Sequence, residues 1–320
     1  MKAAVIIDKE QAPIYADFKD PEIESGHHLV RVHASSISQI TKARASASHY
    51  SSDNEVPFVP GFDGVGSLAD GSRVYFLLPR NPFGAMAEYC SVPQHNCLLI
   101  PDTLSPEVAA AIAIPGMSSW AALVEQAQMR AGDTVLVNGA NGISGRLAIQ
   151  IAKYLGAGKI IATARRASTF DDLYQLGADQ CLLLTDNTLE MEASFKPAFT
   201  EGVHVVLDYL WGPSALSLIN VAAKYSPLKT TIQFVQIGSI GGATIPMPAS
   251  ALRSSGLRLM GSGLGSLSIE QMLNSVLQVL TYAPVAGFNV NVQATPIAEV
   301  SQAWNTTSSE KRTVLMTESF

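Results

Sequence analysis

Three glycines stand at a spacing that suits a phosphate-binding turn. Gly139, Gly142 and Gly145 follow directly on the short apolar run Thr134–Asn138, and glycine permits a tight turn and a close approach of the backbone to a ligand. Residues 146–155 then carry apolar side chains at helical spacing. A helix that begins at such a turn presents backbone N–H groups and the positive end of its dipole to an anion. The sequence therefore predicts a pyrophosphate site at this turn.

Two arginines follow the next apolar run. Lys159–Ala164 is typical of a buried strand, and Arg165 and Arg166 come directly after it. A carboxylate at this position would accept hydrogen bonds from the ribose hydroxyls of NAD and would repel a 2′-phosphate, whereas two guanidinium groups attract that phosphate. The sequence therefore predicts NADP as the dinucleotide.

The elements that must position these residues follow two patterns of predicted secondary structure. The first third of the chain has short β-branched or aromatic runs separated by Gly, Pro, Ser and Asp, which is typical of a β-rich domain. From Thr134 onward strands alternate with helices, and parallel strands need such crossover helices. We expect an α/β protein in which a β-rich domain is interrupted by a doubly wound parallel sheet. The expected boundaries are residues 1–118 with 263–320 for the first domain and 119–262 for the second.

Two stretches carry local predictions of their own. Residues 43–53 are rich in Ser and Ala and are the most loop-like part of the chain. Residues 108–124 are uncharged and mostly apolar, and they contain the pair Pro115-Gly116. Because proline interrupts helices, we expect two buried helical segments here and no membrane span.

Composition excludes several classes of protein. The chain of 320 residues is 47% hydrophobic and 15% charged, with a formal net charge of −6, so nucleic acid is not the expected ligand. The first residues lack the pattern of a signal peptide, and a cytoplasmic location is expected. The cysteines form no Cys-x-x-Cys pair and no histidine completes a metal site with them, so no disulfide framework or structural metal is predicted; they are Cys90, Cys97 and Cys181.

Further segments carry a resemblance to a known family. They are similar, in order along the chain, to motifs of the medium-chain dehydrogenase/reductase superfamily, in its zinc-free NADPH quinone oxidoreductase and enone reductase branch. The resemblance covers nearly the whole chain. It implies a β-rich, GroES-like catalytic domain, a Rossmann domain that binds the cofactor, and a homodimer. The segments lie at residues 57–66, 176–179, 202–208, 238–239 and 311–315.

The resemblance also bears on zinc. Where zinc-dependent members of the superfamily have Cys, His and Cys ligands, this chain has Ser38, Phe62 and Pro115. The side chains of phenylalanine and proline offer no ligand atom, so no catalytic metal is expected. Without a Lewis acid to stabilise an alkoxide, alcohol oxidation is disfavoured. The reduction of an acceptor that is already electrophilic is favoured instead.

The implied reaction is hydride transfer from NADPH to a small-molecule quinone or to the β-carbon of an α,β-unsaturated carbonyl compound. The proton comes from water or from a nearby hydroxyl. Tyr50 is the candidate phenolic donor to the substrate oxygen, and Ser38 is a candidate hydrogen-bond donor. The chain departs from the family at Ser38 and Thr41, where reductases often have Asn and Asp, and at Leu184, where a Tyr is common.

The cofactor contacts implied by the resemblance are spread along the chain. Ser119 is expected to face the nicotinamide or its ribose, while Arg165 and Arg166 bind the 2′-phosphate. Arg312 is expected to reach the pyrophosphate. The remaining contacts are the pyrophosphate turn, which consists of Gly139, Ala140, Asn141, Gly142, Ile143, Ser144 and Gly145, and the nicotinamide face, which consists of Gly238, Ser239 and the turn at Leu264, Gly265 and Ser266.

Two alternatives remain open on the sequence. One is a short-chain dehydrogenase or epimerase, because the glycine spacing suits that class and Tyr225 and Lys229 form a Tyr-x-x-x-Lys pattern. Pro227 lies between them, however, and the motif needs an uninterrupted helix. The other alternative is a protein that binds NADPH as a sensor or interaction partner without turnover.

Overall fold

The structure is a computed structural model that describes residues 1–48, 55–306, 308 and 310–317. The chain divides into two compact units, which we call unit 1 (Met1–Ile114 with Val276–Phe320) and unit 2 (Pro115–Ser275). Both boundaries fall inside helices, whereas the sequence places them at 118/119 and 262/263. Unit 2 is thus inserted into unit 1 along the chain.

The elements follow in chain order. The strands are β1 (Lys2–Val5), β2 (Ile14–Asp17), β3 (His27–Ser36), β4 (Asp63–Ser67), β5 (Arg73–Leu77), β6 (Tyr89–Pro93), β7 (Cys97–Leu99), β8 (Thr134–Asn138), β9 (Lys159–Ala164), β10 (Gln180–Leu183), β11 (Val205–Asp208), β12 (Ile232–Gln236), β13 (Leu257–Gly261), β14 (Asn291–Pro296) and β15 (Lys311–Met316). The helices are α1 (Gln39–Ala45), α2 (Pro106–Ala121), α3 (Ile143–Tyr154), α4 (Phe170–Leu176), α5 (Thr188–Glu201), α6 (Gly212–Tyr225), α7 (Ala249–Arg253), α8 (Ile269–Ala286) and α9 (Val300–Asn305).

Unit 2 is built on a parallel sheet with the strand order β10-β9-β8-β11-β12-β13. From β8 the chain steps outward to β9 and β10, then crosses back to β11 and continues to β12 and β13. The order therefore reverses between β8 and β11, which is the topological switch point of a doubly wound sheet. The strands next to this point are buried almost throughout, as expected for a sheet covered on both faces. The predicted α/β fold class is confirmed.

The core of unit 2 is held by large apolar side chains from its strands and helices. Phe195 and Phe199 of α5 and Phe234 of β12 have no exposed surface, and they belong to one cluster with Leu136 and Val206. Burial of each such side chain contributes about 1.5 to 3 kcal/mol to folding. This core fixes the strand ends from which the candidate site is built.

Unit 1 contains a mixed sheet with the strand order β14-β15-β3-β4-β5-β7, and β6 also pairs with β3. The β14–β15 pair is parallel and the other pairs are antiparallel. A separate antiparallel hairpin joins β1 and β2. One apolar cluster of the unit contains Val30, Val32, Val74 and Phe76 among its buried residues. Unit 1 is thus the β-rich part that the sequence predicts.

Two local predictions need correction. Residues 39–45 form α1, whose N-terminus is capped by Ser38, so residues 43–45 of the stretch predicted as a loop are helical. Residues 46–48 are neither helix nor strand, and residues 49–53 lie outside the described residues. Helix α2 runs through Pro115 without a break. The hydroxyls of Ser118 and Ser119 both donate to the Pro115 carbonyl at 2.9 Å. Burial of the helix outweighs the local cost of a proline, about 3 kcal/mol.

Helix α2 continues into a single π-helical turn at Ala122–Gln126. Among the described residues, this helical stretch of 21 residues is long and apolar enough to cross a membrane, and 72% of its most apolar window is buried inside the protein. Buried core helices have the same length and composition.

Candidate cofactor site

The glycine turn connects β8 to α3 at the carboxyl end of the sheet. Gly139 has a φ of +88°, and its N–H donates to Thr163 Oγ1 at 3.0 Å. Helix α3 then begins at Ile143 with Gly142 as its N-cap, without a side-chain cap and without an acidic residue in its first turn. The first N–H groups of a helix have no partner within it. This terminus is therefore open to an anion.

The three glycines of the turn have different roles. A Cβ atom on Gly145 would lie 2.5 Å from the Gly139 oxygen and 2.6 Å from Ala140 Cα, whereas a Cβ atom on Gly142 would meet nothing closer than 3.7 Å. Gly145 is therefore required for close packing of α3 on the turn. Gly142 instead leaves an open backbone surface over the helix N-terminus. These residues fit a pyrophosphate group, as the sequence predicts.

A buried hydrogen-bond network lies beneath the turn. Asn138 Nδ2 donates to Asp208 Oδ1 at 2.8 Å and to Ser214 Oγ at 3.0 Å, and Asn138 Oδ1 accepts from Thr163 Oγ1 at 2.8 Å. The N–H groups of Leu210 and Trp211 donate to Asp208. Burial raises the pKa of Asp208. The network ties the ends of β9, β8 and β11 together, and sequence reasoning missed it. Its sequence signal is a polar residue at the last or the penultimate position of each apolar strand.

Arg165 and Arg166 directly follow β9, the strand next to β8. Both side chains are exposed, and the Arg166 carbonyl accepts from Thr169 Oγ1 at 2.8 Å. Two guanidinium groups are thus held at the same edge of the sheet as the glycine turn. That is the position from which a dinucleotide-binding sheet reads the adenosine ribose.

Ser119 has no exposed surface. Its Oγ lies 2.9 Å from the Pro115 oxygen, 3.1 Å from the Ser144 oxygen and 2.8 Å from the Tyr209 hydroxyl. Burial raises the pKa of Tyr209 well above its ordinary value, so the phenol stays neutral at physiological pH. Sequence reasoning did not single out Tyr209, although it is the first residue after a strand that ends at the switch point.

The predicted nicotinamide-face residues follow β12 and β13. The Gly238 N–H donates to the Asp208 oxygen at 3.1 Å. The segment around Leu264 is a turn in which the Ser266 N–H donates to the Gly263 oxygen at 3.0 Å. Unit 2 thus contains every predicted cofactor residue except Arg312, which lies in unit 1.

The candidate catalytic residues belong to unit 1. Ser38 is buried and caps α1, where its Oγ accepts from the Thr41 N–H at 3.1 Å and shares a hydrogen bond with Thr41 Oγ1 at 2.8 Å. Tyr50 lies outside the described residues. Phe62 is buried, and the Arg44 guanidinium lies 5.6 Å from the centre of its ring.

A buried polar group of unit 1 surrounds Asp63, which has no exposed surface. The Tyr75 hydroxyl donates to Asp63 Oδ2 at 3.1 Å. Burial raises the pKa of Asp63 to about 7, although Tyr75 and the charge of Arg312 oppose this. Arg312 Nη1 donates to the Ile37 oxygen at 3.2 Å, and burial lowers the pKa of this guanidinium.

The described residues form no metal centre. Across residues 1–48 and 55–306 and the described part of the C-terminal segment, no three His, Cys, Asp or Glu side chains are grouped so that they could hold a metal ion.

The sequence and the fold have known counterparts. Residues 145–281 match a family described as zinc-binding dehydrogenase. The chain is 27% identical to the quinone oxidoreductase of Homo sapiens over 92% of this chain and 89% of that protein. It is 30% identical to the NADPH-dependent alkenal/one oxidoreductase of Arabidopsis thaliana over 53% of this chain and 48% of that protein. The quinone oxidoreductase of Thermus thermophilus, solved also in complex with NADPH, superposes with a TM-score of 0.80 at 25% identity and covers 99% of this chain and 100% of that one.

The parallel sheet, its glycine turn and these similarities define the class of protein. The chain belongs to the medium-chain dehydrogenase/reductase superfamily, in its zinc-free quinone reductase branch. The resemblance predicted from the sequence motifs is confirmed.

Proposed function

We propose that this protein is an oxidoreductase that transfers hydride from NADPH to a quinone or an α,β-unsaturated carbonyl compound. The observation that carries the proposal is the carboxyl edge of the parallel sheet in unit 2. There an uncapped helix N-terminus and two exposed arginines follow neighbouring strands. Relatives named as quinone oxidoreductases and as an NADPH-dependent alkenal/one oxidoreductase support the same reaction.

The residues of unit 2 bind and orient the cofactor. The N–H groups of the first turn of α3 donate to the pyrophosphate, and Arg165 and Arg166 hold the 2′-phosphate. Gly238, Ser239 and the turn at Leu264 line the nicotinamide face. When bound, NADPH supplies the hydride. Much of the rate then comes from placing the donor and acceptor carbons in contact and from excluding water.

Unit 1 contains the candidate catalytic residues of this proposal. Tyr50 is the proposed proton donor to the substrate oxygen, and Ser38, whose hydroxyl is hydrogen-bonded to Thr41, is the second candidate. No metal takes part, because Phe62 and Pro115 replace two residues that would have to be ligands.

We also propose that the protein acts as a homodimer in the cytoplasm, without a nucleic-acid or membrane partner. The net charge of −6 and the lack of a long basic run support the absence of nucleic acid. Sedimentation equilibrium of the purified chain tests the dimer: a mass of twice 34.0 kDa is expected, and a monomer at micromolar concentration contradicts it.

The function is tested by titrating the purified protein with NADPH and with NADH in a buffer that contains a chelator. An ortho-quinone and a simple enone are then added, and cofactor oxidation is compared with a control without protein. Selective binding of NADPH with turnover that resists chelation is expected. Selective binding without turnover would favour a sensor, and equal binding of both cofactors would contradict the role of the arginines.

A further inference from the structure

Tyr209 occupies a defined place at the switch point of the unit 2 sheet. It is the first residue beyond β11, and its backbone N–H donates to the backbone carbonyl oxygen of Asn138 at 3.1 Å. On the other side, a Cβ atom on Gly238 would lie 2.5 Å from the backbone carbonyl oxygen of Tyr209. The backbone of Tyr209 is therefore held between the ends of β8 and β12. Ligands of doubly wound sheets bind at this point of the sheet.

The hydrogen bonds around Ser119 determine where the protons lie. Three oxygens surround Ser119 Oγ, and two of them, the carbonyls of Pro115 and Ser144, can only accept. If the Ser119 proton pointed at Tyr209, Oγ would face two carbonyl oxygens at 2.9 and 3.1 Å without a proton between them. The favourable arrangement is that Ser119 donates to a carbonyl and Tyr209 donates to Ser119.

This arrangement leaves the two hydroxyls unequal. Ser119 is fully buried and all of its close neighbours are protein atoms. Tyr209 is only partly buried, and in the favourable arrangement its proton is donated to Ser119. The hydroxyl of Ser118, which also lies near the phenol, donates its own proton to the Pro115 carbonyl. The phenol oxygen keeps its capacity to accept a hydrogen bond. The pair of hydroxyls, Ser119 and Tyr209, therefore presents a hydrogen-bond acceptor at this position of the sheet.

We infer that the Tyr209 oxygen accepts a hydrogen bond from the nicotinamide riboside half of NADPH, and that Ser119 is a positioning residue that holds it. The inference rests on the proposed function, since it assumes that the dinucleotide lies at the switch point. The cofactor offers two kinds of donor on this half, the carboxamide N–H and the ribose O–H. The adenosine half, with its 2′-phosphate, is assigned to Arg165 and Arg166 and is independent of Tyr209.

The test uses two halves of the cofactor as separate probes. Reduced nicotinamide mononucleotide and 2′,5′-ADP are titrated calorimetrically into the wild-type protein and the Tyr209→Phe variant. Loss of one hydrogen bond should weaken binding of the mononucleotide by about three- to tenfold, while 2′,5′-ADP binds as before. Tyr174→Phe, which removes the hydroxyl of an exposed tyrosine on α4, serves as the matched control and should change neither affinity.

The positioning role of Ser119 is tested by Ser119→Ala and by the double variant with Tyr209→Phe. Since both hydroxyls act through one oxygen, the double variant should bind the mononucleotide as weakly as Tyr209→Phe alone. Melting temperatures confirm that each variant is folded.

Several outcomes would overturn the inference. Unchanged binding of the mononucleotide by Tyr209→Phe is one, and an equal loss of both probes, which indicates general loosening of the site, is another. If the losses of mononucleotide affinity in Ser119→Ala and Tyr209→Phe added up in the double variant, the positioning role of Ser119 would be refuted. A wild-type protein that binds neither NADPH nor either half would instead refute the proposed function.

Discussion

At the scale of single residues, Arg165 and Arg166 are the residues that we propose select NADPH over NADH. Both are exposed at the end of β9, so they can reach a phosphate at little cost in desolvation. Their position at the carboxyl edge of the sheet could be predicted from the sequence because they directly follow an apolar run typical of a buried strand. Tyr209 could not be predicted in this way, since its partner Ser119 is 90 residues away along the chain.

We expect the double variant Arg165→Ala/Arg166→Ala to bind NADPH about 10- to 100-fold more weakly, because it loses charge-assisted hydrogen bonds worth about 1.5 to 3 kcal/mol. NADH, which has no 2′-phosphate, should bind as before. Fluorescence titration with both cofactors measures this. The control is Arg253→Ala/Arg258→Ala, which removes two exposed arginines elsewhere in unit 2. Equal losses of NADPH and NADH affinity would contradict the assignment.

Asp63 gives a prediction about pH. Burial raises the pKa of its carboxyl in the folded protein to about 7, from an ordinary value of 3.8. The folded state therefore binds more protons than the unfolded state between these values, and the stability from this group falls as pH rises from about 4 to 7. It is fully present below that range and absent above it. The neutral, isosteric Asp63→Asn should remove this part of the pH dependence.

Melting temperatures of the wild type and of Asp63→Asn, compared at pH 5 and pH 8, test this. The melting temperature of Asp63→Asn relative to that of the wild type should be higher at pH 8 than at pH 5. Each kcal/mol of difference corresponds to about 2 to 4 °C. Asp171→Asn, which changes an exposed carboxyl on α4, is the control. If the melting temperatures of the wild type and of Asp63→Asn changed equally between pH 5 and pH 8, the raised pKa of Asp63 would be contradicted.

At the scale of elements, the alternation of strands and helices in unit 2 could be predicted because parallel strands are apolar throughout and their helices are amphipathic. Strands β8 and β9 have the bounds expected from the sequence. Elements that depend on distant partners could not be predicted. Strand β14 has mostly exposed residues and forms by pairing with β15, while α2 passes Pro115 because its surroundings bury it.

The glycine turn gives a prediction in two matched variants. Gly145→Ala places a Cβ atom 2.5 Å from the Gly139 oxygen, so we expect it to lower the melting temperature. Gly142→Ala finds open space and an extended backbone, with φ −72° and ψ 161°, and should fold as the wild type does. It should nevertheless weaken NADPH and NADH alike, because its methyl group covers the open helix N-terminus.

Calorimetry and thermal melting of both variants distinguish these effects. If Gly142→Ala bound both cofactors with wild-type affinity, the pyrophosphate would not lie over this turn. If Gly145→Ala melted at the wild-type temperature, the close packing of α3 on the turn would be in doubt.

At the scale of the whole molecule, the order of the two units along the chain could be predicted from the sequence. Short strands in the first third of the chain give way to alternating strands and helices from Thr134 onward, and this alternation ends before the C-terminal segment. The boundaries of the units were less visible, since the chain passes between the units within α2 and α8 and not through linkers. These helices lack the run of glycine, proline and polar residues that marks a linker, and the pair Pro115-Gly116 at the first boundary was interpreted as a break between two helical segments. The proposed reaction class follows from the whole set of motifs and from the lack of a metal-ligand atom in the side chains of Phe62 and Pro115.

The central claim is the transfer of hydride from NADPH to carbon without a metal. It is tested most directly with NADPH that carries deuterium on the transferred position of nicotinamide C4 and with a simple enone, in ordinary water and excess chelator. The account predicts a saturated product with one deuterium on its β-carbon, identified by mass spectrometry and NMR. A product without deuterium, or turnover that appears only when zinc is added, would contradict it.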